Sequence, residues 1–193
     1  RLPHNVKEMP LHYSDHKAYQ MICGYRRKLD LGRELAGKRL FVQFDGAAHI
    51  ATVYLNGQEL ATHRCGYTAF RVEITGAVQQ GENILAVKLD TTENPEVPPF
   101  GFVIDYLTYG GLYREVWLDV REQSMIRDVY ITTPTLTRMQ LQITAINAEN
   151  CKVKVELLND AGKLVLVSKP FVPGGKAAMN FQNAKPWTLD DPC

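Results

Sequence analysis

Cysteine is scarce in this sequence, and the four present fall into no pattern that carries chemistry. Cys23, Cys65, Cys151 and Cys193 form no C-x-x-C pair and have no histidine at zinc spacing, which excludes zinc-finger and thioredoxin-like readings. Unpaired thiols are the ordinary reading, and a Cys23–Cys65 bridge stays open. Charge bias is missing too: 22 Lys and Arg stand against 21 Asp and Glu, for a formal charge of +1. Such a chain has no electrostatic footprint for nucleic acid and no acidic tail. No apolar run approaches the roughly 18 residues that a membrane-spanning helix needs. A Gly-x-Ser-x-Gly nucleophile elbow is absent, and so is any amphipathic helical pattern of ten residues or more.

What remains is strand pattern. In "RLFVQFDG", Leu40, Val42 and Phe44 share a face; in "ATVYLNGQEL", Ala51, Val53 and Leu55 do the same. Asn56-Gly57 follows at once, the positive-φ pair that a two-residue hairpin turn requires. "GENILAVKLD" places Leu85, Val87 and Leu89 on one side. In "DYLTYGGLYREVWLDV" (105–120), Val116, Leu118 and Val120 alternate with Glu115, Trp117 and Asp119. A further set, "IRDVYITT", "MQLQITAIN", "CKVKVELLND" and "GKLVLVSK", recurs at about a dozen residues, with Asn159–Gly162 as a turn. Regular short strands at that spacing predict an all-β chain, its second part an immunoglobulin-like sandwich. About 70 residues remain for a unit that normally takes about 100, so its last strands are expected to be lacking. The boundary falls near 122–125, giving one domain over 1–122 and another over 123–193.

Between them, "ENPEVPPFGFV" (93–103) holds three prolines in eleven residues and reads as a loop. Directly after it come Asp105, Tyr109, Gly110, Gly111 and Arg114. From the residues alone, Asp105 is a turn-capping acid that bonds its own backbone. Gly110 and Gly111 let the chain turn sharply or pass close to a neighbour. Arg114 reads as an ion-pairing or backbone-bonding residue. His12 and His16 are four apart, but "HYSDH" is a polar loop without a third ligand. The cations Arg26, Arg27 and Lys28 sit inside a strand pattern and read as a solvated face.

Taken in order, these segments resemble the N-terminal region of glycoside hydrolase family 2, the β-galactosidases and β-glucuronidases. The residues that carry the resemblance are "LPH" (2–4), "GYRRKLDL" (24–31), "LFVQFDGAAHIATVYLNGQEL" (40–60), "HRCGYTAFRVEIT" (63–75), "GENILAVKLD" (81–90) and "YGGLYREVWL" (109–118). "KPWTLDDP" (185–192) is similar to a Trp-x-x-Asp-x-Pro feature of the family's first immunoglobulin-like domain.

The resemblance implies a jelly-roll-like sugar-binding domain followed by an incomplete immunoglobulin-like one. It implies a retaining mechanism whose two glutamates lie on a (β/α)₈ barrel. Such a barrel takes about 250 residues with alternating helices, so no glutamate here is nominated as catalytic. By the same resemblance Asp105, six residues before Gly111, contacts a sugar hydroxyl in the intact enzyme. A carboxylate only accepts hydrogen bonds, which suits adjacent hydroxyls, and Tyr106 and Tyr109 offer ring faces. Gly110, Gly111 and Arg114 are the surrounding structural residues. In one galactosidase branch an Asn precedes the early Gly motif by three residues; here that position is Met21, which lacks the polar group.

No cofactor is expected in the chain itself, although a sodium or magnesium ion is implied for the intact enzyme. The expected partners are a β-galactoside or related carbohydrate and a catalytic barrel of the same polypeptide, with neither nucleic acid nor membrane. A homo-oligomer is a further expectation. The competing reading is a free-standing, lectin-like carbohydrate-binding module.

Overall fold

The structure, a computed structural model, describes residues 1–8, 16–98, 110–182, 184 and 186–190. The chain divides into two compact units, Arg1–Arg121 and Glu122–Cys193. The first contains β1 (His4–Asn5), β2 (Ile22–Leu31), β3 (Arg39–Phe44), β4 (Ile50–Leu55), β5 (Gln58–Arg64), β6 (Phe70–Glu73), β7 (Gly81–Asp90), β8 (Gly111–Leu112) and β9 (Val116–Arg121). The second contains β10 (Met125–Thr135), β11 (Arg138–Ile146), β12 (Glu156–Leu158), β13 (Leu164–Val167) and β14 (Lys176–Asn180). Among the described residues the only helical pieces are 3₁₀ turns of three or four residues. The fold is all-β, as the alternating patterns require.

In the first unit, a four-stranded sheet β2-β7-β4-β5 and a three-stranded sheet β6-β3-β9 supply the two halves of one core. Period-2 alternation decides which side chains enter it. Leu40, Val42 and Phe44 of β3 are 3%, 2% and 0% exposed, and Val53, Leu55 and Leu89 are all at 0%. Each such side chain contributes about 1.5–3 kcal/mol through removal of apolar surface from water. Phe44 also stacks on Phe70, ring centroids 4.6 Å apart. The β4–β5 hairpin turns through Asn56 and Gly57, with φ of 52° and 85°, the type I′ geometry that matches strand twist. Asn56 does more than turn: its side-chain oxygen accepts from Ile84 N–H (2.9 Å) and its amide donates to Asn83 Oδ1 (2.8 Å). Asn83, fully buried, closes the remaining bonds with Gln79 and Gly81.

In the second unit, β10-β11-β14 form one antiparallel sheet and β12-β13 a separate ladder. Met139, Leu141 and Met179 are its buried cluster, with Val155, Leu166 and Phe181 packed against it. "CKVKVELLND" makes a strand only over Glu156–Leu158, preceded by an isolated bridge from Val153 to Phe171. The Asn159–Gly162 turn is present, closed by Gly162 N–H to Asn159 O at 2.9 Å and Asn159 N–H to Lys163 O at 2.9 Å. Cys23, Cys65 and Cys151 are free thiols, so the Cys23–Cys65 bridge is not formed.

Candidate functional site

Asp105, Tyr106 and Tyr109 lie outside the described residues, as does His12. The residues that flank the 99–109 segment are described, and they show how its two ends are held. At the leading end, Pro98 O accepts from Gly66 N–H at 2.8 Å, and Gly66 O accepts the Tyr113 hydroxyl at 2.6 Å. Burial raises the Tyr113 hydroxyl above its ordinary pKa, so at neutral pH it stays the donor this bond needs. At the trailing end, Gly110 O accepts from Val6 N–H at 2.9 Å. Gly111 and Ala48 then exchange backbone bonds in both directions, at 3.0 and 3.1 Å.

Both glycines are there because the chain passes close to its neighbours. A Cβ on Gly110 would stand 2.6 Å from Thr91 Cβ, and one on Gly111 would meet the His4 carbonyl and Asn5 Cα (3.0 Å). Gly111 also has φ +140°, which L side chains rarely adopt. Of the two glycine roles allowed by the sequence, close passage is the one found at both.

Thr91 fastens this corner. Its hydroxyl donates to Tyr19 O at 2.5 Å, its Oγ1 accepts from Met21 N–H at 2.9 Å, and its own N–H donates to Met21 O at 2.9 Å. Thr91 is 1% exposed, so these bonds form where water does not compete. Met21 therefore serves the corner through its backbone. Across the Gly111–Ala48 bridge lies His49, also 1% exposed, with neither ring nitrogen bonded among the described residues. Burial lowers its pKa below the ordinary histidine value, against weaker opposing pulls from the backbone at Thr92 and Thr91 and the charges of Glu93 and Asp90. It is held neutral at physiological pH. Sequence reasoning passed over His49 and Thr91, since a lone His or Thr at a strand end carries no periodic or spacing signal.

Arg114 is exposed and donates through Nη1 to Asp45 O at 3.4 Å, its guanidinium 5.3 Å from the Tyr113 ring centroid. His4 bonds Tyr25 Oη through Nδ1 at 3.0 Å, and the two rings meet edge to face at 5.7 Å. Among the described residues no group of three or more His, Cys, Asp or Glu is arranged to hold a metal. Asp105 is outside them.

Comparison with known proteins follows the same lines. Residues 8–97 match the family described as the glycosyl hydrolase 2 galactose-binding domain-like. A β-galactosidase of Thermoanaerobacter pseudethanolicus is 34% identical over 169 residues, 83% of this chain and 23% of the relative. A β-glucuronidase of Bacteroides fragilis is 36% identical over 141 residues, 72% of this chain and 20% of the relative. The chain thus spans between a fifth and a quarter of the length of these relatives, 20% and 23%. Among solved structures, a Bacteroides fragilis protein described as a β-galactosidase superposes with a TM-score of 0.72 at 29% identity, covering 86% of this chain and 28% of that one. A β-glucuronidase from an uncultured Clostridium species shares the fold at TM-score 0.78 and 24% identity, over 99% of this chain and 34% of that one. The chain belongs to glycoside hydrolase family 2 and carries the all-β, galactose-binding-like N-terminal region of its members.

Proposed function

We propose that this chain is the non-catalytic, sugar-side part of a retaining exo-β-glycosidase, and that it lends Asp105 to the substrate pocket of a catalytic barrel. The observation that carries the reading is the double anchoring of the 99–109 segment. Pro98 is tied through Gly66 to Tyr113, and Gly110–Gly111 is locked against Val6, Ala48 and Thr91. A segment fixed at both ends on a rigid sandwich is a support from which one carboxylate can be presented in a reproducible place. Within this reading the two catalytic glutamates lie on the barrel, about 5–5.5 Å apart as retention requires. Asp105 accepts hydrogen bonds from hydroxyls of the bound sugar. A β-galactoside is the favoured substrate and a β-glucuronide the next. Support comes from β-galactosidases that align over 83% and 99% of the chain.

The test is a chimera in which this chain replaces the matching region of the Thermoanaerobacter β-galactosidase, assayed on aryl β-galactoside and aryl β-glucuronide. Hydrogen bonds to a charged group are worth about 1.5–3 kcal/mol, so Asp105→Ala should lower kcat/KM roughly 10- to 100-fold. Unchanged kinetics in a folded Asp105→Ala chimera would remove Asp105 from the pocket.

A further inference from the structure

Gly24 has no internal reason to be glycine. It stands inside β2, which pairs with β7 from Ile22↔Asp90 to Leu31↔Gly81 without a register shift. Its φ is outside the left-handed range, and a Cβ built on it meets nothing within 4 Å. A glycine inside a strand costs roughly 0.5–1 kcal/mol relative to alanine. The usual reasons for accepting that cost are a bulge, a bend or the close approach of another body. Register and backbone rule out the first two, and the open space leaves the third.

The neighbours of Gly24 say what that body would be. Val53, Val87 and Leu89 face the core, so alternation puts Gly24, Arg26, Thr52, Tyr54, Ala86 and Lys88 on the outer face of the β2-β7-β4 sheet. The register sets them in two rows, Gly24–Lys88–Thr52 and Arg26–Ala86–Tyr54. Gly24 and Ala86 form the floor of an open depression of about 520 Å³ rimmed by Arg26, Tyr54, Lys88 and Ile22. Arg26 and Lys88 occupy diagonal positions, are both exposed, and take part in no ion pair among the described residues. One row further on, Lys28 does have a carboxylate, Glu82 at 2.9 Å. Two unpaired cations on the diagonal of a sheet repel each other, and an anion seated between them relieves the repulsion.

We propose that this face binds an acidic oligosaccharide, one pyranose ring lying on the Gly24–Ala86 floor beside Tyr54 with its carboxylate between Arg26 and Lys88. The flat C–H face of the ring suits a floor with no side chain larger than a methyl. An apolar protein partner would instead find bare backbone and two charges. The proposal does not depend on the role of Asp105.

The experiment is an NMR titration of the 193-residue chain with trigalacturonate. The amides of Gly24, Arg26, Ala86 and Lys88 should shift and saturate in the millimolar range. Arg26→Ala with Lys88→Ala should weaken binding roughly tenfold or more. Gly24→Val should do the same while leaving thermal stability equal or higher, because the space is open and a β-branched residue suits a strand. Asp105→Ala should leave this binding unchanged, which separates the result from the chimera test above. The proposal is overturned if these amides stay still, or if Gly24→Val binds as the parent does. It is equally overturned if neutral galactotriose or triglutamate binds the same face with equal affinity.

Discussion

β3 and β10 carry comparable alternation in sequence, yet they end in opposite environments. Leu40, Val42 and Phe44 of β3 are at most 3% exposed, whereas Val129, Tyr130 and Ile131 of β10 are 45%, 63% and 53% exposed. Register explains which way the β10 side chains point: Val129 pairs with Ile143 and Ile131 with Leu141, so both share the face of buried β11 residues. What differs is cover. In the first unit two sheets enclose one core, while in the second the buried cluster centres on Met139, Leu141 and Met179. Alternation states which face of a strand is apolar; only a second layer determines how much that face stabilises.

The largest effects should therefore separate the two units. Phe44→Ala removes a fully buried, stacked ring and should cost about 3–5 kcal/mol, while Ile131→Ala should cost less than about 1 kcal/mol because half its surface already meets water. Residue-resolved hydrogen exchange under denaturant reads both and reports the unit in which each loss falls. Equal losses would erase the comparison. Amides of β10 should also exchange well before those of β3 and β4 in the unmodified chain.

Next in size are the glycines. Gly111→Ala meets both a forbidden φ and the His4 backbone, and should cost roughly 2–4 kcal/mol. Gly162→Ala in the second unit has φ +73° with open space around it, so only the left-handed backbone penalty of about 1–2 kcal/mol applies. Urea melts of the two variants check the ordering. A Gly111→Ala chain as stable as Gly162→Ala would mean the 110–111 crossing yields easily, and the anchoring of the 99–109 segment would lose its support.

This contrast also marks how far sequence reading goes. The faces of β3, β4 and β7 and the Asn56-Gly57 turn are legible because strand period and turn chemistry are local. β14, "KAAMN", escapes because alanine and lysine carry little strand preference, and its place is set by pairing with β11, from Gln142↔Lys176 to Arg138↔Asn180, across 34 to 42 residues. Val120 has the spacing of a core residue but is 40% exposed at the end of β9. At the site, Gly110 and Gly111 stand out in the sequence. Thr91 and His49 do not, since their meaning comes from distant chain: Thr91 bonds Met21, 70 residues away, and His49 sits next to the Ala48–Gly111 bridge. Asp105 and Tyr109 rest on the family resemblance, with the described geometry supplying only the anchors on either side of their segment.

The smallest predicted effect uses His49, buried at that corner. All five histidines belong to the first unit, so titration near neutrality should move that unit and leave the second flat. His49 has a folded pKa below its ordinary value, because burial penalises the cation. As pH falls through about 6.5, the unfolded chain takes up the proton first. Stability is therefore full above that value and declines as pH drops toward the folded pKa, with a slope bounded by about 1.4 kcal/mol per pH unit for one proton. His63, also shifted down by partial burial, adds a lesser contribution of the same sign. His49→Gln should remove most of the slope between pH 7 and 5 in first-unit melts, leaving the His63 remainder. If the slope survives in full, His49 is not what makes the Gly111–Ala48 corner sensitive to acid. If both units lose stability in parallel, the histidines are not what distinguishes them.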